Sequence, residues 1–269
     1  MNSNLRWNLE DAPWAQLRAE RLTDNAAWRY LLCSASFIEI TTDLYTQALL
    51  DYFADDADVA GWLRDEWEGQ ELQHGRALRA YVEHVWPDFD WPRVYAAFRA
   101  EYAPLISAEA LMPKHSLEMV ARCVVEMGTS TYYTALNRAT DEPVLKWLTQ
   151  RIYEDEIAHY KHFLRYFQAW RDRDGASRRE IALTLWRRLK MIEAEDSWVV
   201  TKHVHAALYP GEAWDDRVYR AVIADCRRTV AAHFPHRMSV KMLLHPLDVG
   251  PRMQRLLIPP LTGVARLVA

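Results

Sequence analysis

The sequence is poor in the residue that turns a chain most sharply: only 8 of its 269 residues are Gly, against 12 Trp, 13 Tyr and 7 Phe. Average usage of Gly is about 7%, and tight strand connections depend on it, so a fold of many short strands is disfavoured. Cysteine is scarce as well. Cys33, Cys123 and Cys226 stand far apart with no Cys-x-x-Cys, which speaks against a disulfide framework or a rubredoxin-type iron site and makes a reducing cytoplasm the expected compartment. There is no run of about 18 apolar residues to span a bilayer, and the opening MNSNLRWNLEDAPW lacks the apolar core of a signal peptide. What is present is a core: 50% of the residues are apolar, which excludes a disordered or fibrous chain and fits one large soluble domain.

Charge is unevenly placed. The formal net charge is -4, yet Arg217 to Ala269 holds nine Arg or Lys against two Asp, a local +7 that leaves the remainder at -11. A basic C-terminal region on an acidic body suits an acidic partner such as a carrier protein or anionic lipid. With no aromatic residues interleaved in a basic motif, nucleic acid is not expected as the partner.

Apolar residues recur at helical spacing almost throughout, and no run alternates like a strand. The breaks predict one long helix from about Asn25 to Phe53 and a second from near Val59 to Trp86. A short helix should follow Trp91-Pro92, with Pro in the first turn. Long helices follow from about His115 to Thr140 and from Pro143 to Asp172. Two more should fill Ser177–Tyr209 and Glu212–Phe234. A less regular tail holds Pro246, Pro251 and the pair Pro259-Pro260, its Leu-rich pieces packed on the rest. The expectation is an all-α single domain: a long four-helix bundle over about 25–172, with a helical extension over about 177–269 packed on it.

Two Glu-x-x-His motifs lie in those helices, Glu71-Leu72-Gln73-His74 and Glu156-Ile157-Ala158-His159. A spacing of three puts Glu and His on one helix face, able to reach one ion. The motif alone carries little weight, because 18 Glu and 10 His in 269 residues give about 0.7 occurrences by chance. Placement carries more. Each motif lies in the second helix of a predicted hairpin whose first helix holds a Glu in apolar surroundings, Glu39 and Glu126. Glu39 precedes Glu71 by 32 positions and Glu126 precedes Glu156 by 30, so the halves repeat with offsets of 87 and 85. An internal two-fold would bring four Glu and two His together, the ligand set of a carboxylate-bridged dinuclear site.

Small residues flank both first-helix carboxylates: Ala35, Ser36 and Thr42 around Glu39, and Cys123, Thr129 and Ser130 around Glu126. A buried, unpaired carboxylate on such a face costs several kcal/mol, so metal or strong hydrogen bonding is expected. Oxygen and imidazole donors suit iron or manganese better than zinc. Elsewhere packing is the simpler reading. His203 and His205, two apart, diverge on a helix, and His162 lies one turn beyond His159 as a packing residue. His84, His115, His233, His236 and His245 show no partner in the sequence, and the Trp and Tyr stripes read as core.

The stretch Trp67-Glu68-Gly69-Gln70-Glu71-Leu72-Gln73-His74-Gly75 resembles the first iron-binding motif of soluble acyl-acyl carrier protein desaturases, W-x-x-E-E-x-R-H-G. Asp155-Glu156-x-x-His159 is similar to their second motif, D-E-x-R-H, and Glu126-x-x-Thr129 to a ligand Glu followed by a Thr near the iron pair. The likeness covers about residues 25–170. Gln73 and Ala158 stand where the family has Arg, so the hydrogen bonding behind the ligands must differ. Ile152 stands where related arylamine oxygenases carry an extra His.

The resemblance implies a ferritin-like fold and a di-iron, or manganese–iron, oxidoreductase. It would use O2 to remove hydrogen from an unactivated C–H bond of a long fatty-acyl-like substrate. Implied metal ligands are Glu39, Glu71, His74, Glu126, Glu156 and His159, with Glu71 and Glu156 bridging and Thr129 aiding proton delivery. Implied partners are a carrier-tethered acyl chain, a ferredoxin-like electron donor and a second copy in a homodimer. Aldehyde-deformylating oxygenases share a similar ligand spacing, and a ferritin-like iron-handling or peroxide-scavenging protein is the alternative outside oxygenase chemistry.

Overall fold

The computed structural model describes residues 4–107, 111–191 and 195–268, and among them every regular element is a helix. Short 3-10 turns at Leu9–Asp11, Trp14–Gln16 and Ala19–Arg21 lead into α1 (Ala26–Ile40) and α2 (Asp43–Tyr52). α3 (Ala57–Trp62) passes through a π turn at Leu63–Trp67 into α4 (Glu68–Val85). There follow α5 (Trp91–Ser107), α6 (His115–Ala139), α7 (Pro143–Asp174), α8 (Arg178–Met191), α9 (Glu195–Leu208), α10 (Asp216–Ala231), α11 (His236–Leu244) and α12 (Pro251–Val268). No described helix is long and apolar enough to cross a membrane.

The chain forms two compact units. The first comprises the described residues of Met1–Glu109, Thr140–Leu148 and Ala194–Val230, the second those of Ala110–Ala139, Thr149–Glu193 and Ala231–Ala269. α7 contributes its first turns to one and its remainder to the other. The helices beyond Ser177 are divided likewise: α9 and α10 belong to the first unit, α8, α11 and α12 to the second.

In the first unit α1 packs along α4, and α9 packs on α1 and α5. Asn25 opens α1 by accepting a hydrogen bond from the Trp28 amide, a side-chain cap worth about 1 kcal/mol. Phe37, fully buried, meets the rings of Phe89, Trp91, Tyr95 and Phe98 within 5.2–6.3 Å. His203 and His205 diverge from α9 as their spacing requires: His203 Nε2 lies 2.9 Å from Glu101 of α5, and His205 Nδ1 lies 2.6 Å from the Tyr30 hydroxyl of α1. In the second unit α8 and α11 both pack on α6. Ser177 and Glu180 form a reciprocal cap at the start of α8, each side chain accepting the other's backbone amide. Val240, Leu244 and Ile258 form the small core between α11 and α12.

Several helix boundaries differ from expectation. The helix foreseen over Asn25–Phe53 is broken after Ile40, one residue beyond Glu39. The Thr41 hydroxyl donates back to the carbonyls of Phe37 and Ile38, and Thr46 back to Thr42, the competition with backbone pairing that Thr offers. The helix foreseen from Val59 to Trp86 contains the π turn. The element after Trp91-Pro92 is a full 17-residue helix, not a short one. Of the stretch Ser177–Tyr209, Arg178–Met191 and Glu195–Leu208 are helical as expected, and 192–194 lie outside the described residues. The tail expected to be irregular is also helical. α12 continues through Pro259 and Pro260, both exposed, where water can take the carbonyls those prolines leave without an amide donor.

Candidate metal centre

Each unit places one of the expected half-sets on adjoining helix positions. In the first, Glu39 leaves the last turn of α1, and Glu71 and His74 leave one face of α4. All three are buried, His74 completely, and His74 Nδ1 lies 3.9 Å from Glu39 Oε2. In the second, Glu126 leaves the middle of α6, and Glu156 and His159 leave one face of α7. These too are buried, with His159 Nδ1 3.6 Å from Glu126 Oε2. Within each trio one ligand atom per residue lies within 4.8 Å of the others.

Those distances fit metal coordination. Donors held about 2.1 Å from one ion stand at most about 4.2 Å apart, so either trio closes on an ion with shifts of a few tenths of an ångström. The donors are also of one chemical kind in both units: two carboxylates and one imidazole, suited to iron or manganese. Two buried carboxylates this close repel each other unless a cation or proton lies between them. Both trios could therefore hold a metal ion, and the donor set fits iron.

What surrounds the trios was only partly readable in advance. Thr129, one turn beyond Glu126, donates its hydroxyl to Glu156 Oε2 at 2.5 Å, which joins α6 to α7 at the ligand itself. Ser36, expected as part of an open small-residue face beside Glu39, instead accepts the Trp91 indole N–H at 2.8 Å and serves packing. Gln73, in the place of the motif Arg, donates to the Trp7 carbonyl at 2.7 Å, and Gln70 donates to the Asn4 carbonyl. These bonds draw the N-terminal segment over α4, where the Trp7 ring lies parallel to His74 with centroids 6.2 Å apart and meets Trp147 edge-on.

Trp7 is therefore a neighbour of the candidate centre that sequence reasoning missed, for it sits in a stretch with no helical period to place it. α11 is another. Its Met242 accepts the Tyr160 hydroxyl at the backbone and takes a contact from Ser130 at sulfur, and its Ser239 meets Met127. The tail is so held against α6 at Met127 and Ser130 and against α7 at Tyr160. Tyr160 is held protonated by burial. His162 packs near Tyr166 as expected.

Compared with family models, with characterised proteins and with solved structures, the chain matches none.

Proposed function

We propose that the chain is an iron-dependent oxidoreductase of the ferritin-like class that uses O2, with the trio in each unit holding one of two irons. The observation that carries this reading is the duplication: Glu39, Glu71 and His74 on one helix pair, Glu126, Glu156 and His159 on the other, equally buried and equally spaced. Four carboxylates carry a charge of -4, which two divalent cations neutralise while both imidazoles remain neutral ligands, so the centre adds no net charge to an apolar interior. Glu39, Glu71 and His74 would hold one ion, and Glu126, Glu156 and His159 the other. When bound, an iron pair supplies the O2 activation needed to take hydrogen from an unactivated C–H bond.

The chain's own residues do the rest. The six ligands fix the centre on rigid helices. Met127, Met242 and Ile152 exclude water from the α6–α7 side. Thr129 Oγ1 holds a proton at Glu156 Oε2 and can return it there. The substrate class in this reading is a long acyl chain delivered on a carrier protein, with electrons from a ferredoxin-like donor.

The test is O2 uptake by iron-loaded protein with reduced ferredoxin and an acyl thioester. Acyl-dependent uptake with a desaturated or oxygenated product supports the reading. Iron uptake without acyl-dependent O2 consumption assigns iron handling or peroxide scavenging instead.

A further inference from the structure

Beyond the metal centre, the outer face of the second unit has a composition that a protein interior or plain solvent does not call for. α12 buries Ile258 and Thr262 against its own unit. Roughly opposite, Met253, Leu256, Pro260, Val264 and Leu267 follow one another at intervals of three and four, a single stripe along the helix. They are exposed, Leu256 at 69% and Leu267 at 87%. The adjoining row, one residue earlier, carries Arg252, Arg255 and Arg266, and α12 contains no Asp or Glu.

A second helix of the same unit repeats this chemistry. α8 exposes Leu183, Trp186 and Leu189, with Arg179 and Arg187 also at the surface. Lys190 Nζ lies 4.2 Å over the Trp186 ring. Arg178, at the start of α8, donates to the carbonyl of Asp248, three residues before α12 begins.

We propose that α12, with Trp186 of α8, docks the protein on an anionic phospholipid surface. An apolar stripe edged by arginines, with no acidic residue, is the pattern of a helix that lies in the lipid headgroup region. Arg side chains at the edge can reach phosphate while their stems cover acyl chains, and Trp favours the same boundary. Charge decides among occupants. A second copy laid on this face would bring cationic rows together with no acid on α12 to offset them, and an acidic protein answers the arginines but not a four-turn apolar stripe. The proposal is independent of the metal-centre reading, although a bilayer surface is where a long apolar substrate collects.

The experiment is flotation of the full chain with phosphatidylcholine vesicles, with and without one third phosphatidylglycerol. Binding to the anionic vesicles that weakens with salt is expected. Each basic residue near an anionic surface contributes about fivefold, so Arg252→Gln/Arg255→Gln/Arg266→Gln should weaken binding roughly a hundredfold. Leu256→Glu/Val264→Glu should abolish it. All five side chains are exposed, so circular dichroism and metal content should stay at wild-type values, which keeps a failure here separate from a failure of the metal centre. No flotation with anionic vesicles overturns the proposal, as does unchanged binding by Leu256→Glu/Val264→Glu. A wild-type dimer that Leu256→Glu dissolves, or capture of an acidic carrier protein without vesicle binding, also overturns it by assigning the face to another occupant.

Discussion

Gly75 of α4 crosses Ile40 of α1 so closely that a Cβ built on the glycine would stand 2.6 Å from the Ile40 amide nitrogen and 2.8 Å from its Cα. Both residues adjoin candidate ligands: Gly75 follows His74, and Ile40 follows Glu39. The glycine after the Glu-x-x-His motif is thus a packing requirement, needed to bring the backbone of α4 against that of α1.

Gly75→Ala should therefore cost about 1–3 kcal/mol, the range for overpacking a filled core, despite the better helix propensity of Ala. Equilibrium urea unfolding measures it. Because the shift falls between Glu39 and His74, metal affinity of the first trio should drop as well, whereas Gly61→Ala, where a Cβ meets nothing within 4 Å, should leave both unchanged or slightly improved.

Thr129→Val removes the hydroxyl that donates to Glu156 Oε2 while keeping the shape of the side chain. A hydrogen bond to a charged group is worth about 1.5–3 kcal/mol, and the half-buried position of Thr129 places the loss near about 1.5. Metal content should be retained. Turnover should fall about a hundredfold, in keeping with loss of a positioned proton donor, and Thr129→Ser should restore most of it. Equal turnover in Thr129→Val would show that the hydroxyl only braces α6 against α7.

His205 gives a pH dependence with a definite sign. Burial pushes its imidazole below the usual value, opposed by the carboxylate of Glu212 3.9 Å from its Nε2. The Tyr30 phenol, itself pushed up by burial, keeps its proton and donates it to Nδ1. In the unfolded chain the same imidazole titrates near about 6.5. Below that value the unfolded state binds the extra proton, so the stability due to neutral His205 is present above pH about 6.5 and is lost as pH falls. His205→Gln, which keeps an acceptor for Tyr30, should lose less stability than wild type between pH 7.5 and 5.5, measured by urea midpoints. An identical loss in both would remove His205 as the cause.

The sequence made the helical class and the two trios legible for one physical reason. A Glu-x-x-His spacing fixes its own geometry once a helix forms, and the 87- and 85-residue offsets repeat that geometry without help from tertiary structure. It did not show the breaks that aim the two trios. Thr41 looks like any β-branched residue in an apolar run until its hydroxyl turns back on Phe37 and Ile38, and a π turn at Leu63–Trp67 adds only a phase shift that averages out over a long periodic window. Trp7 was invisible because its position depends on two glutamines, Gln70 and Gln73, reaching back over 66 residues. The prolines of α12 misled in the opposite direction, since an exposed helix edge tolerates what a buried one would not.

The central claim is that two trios serve two ions, and metal analysis tests it most directly. Protein purified after iron-replete expression should carry about two irons per chain. Glu71→Ala and Glu156→Ala should each carry clearly less with circular dichroism unchanged. Wild-type protein with metal at background, or iron content indifferent to both substitutions, would contradict the account.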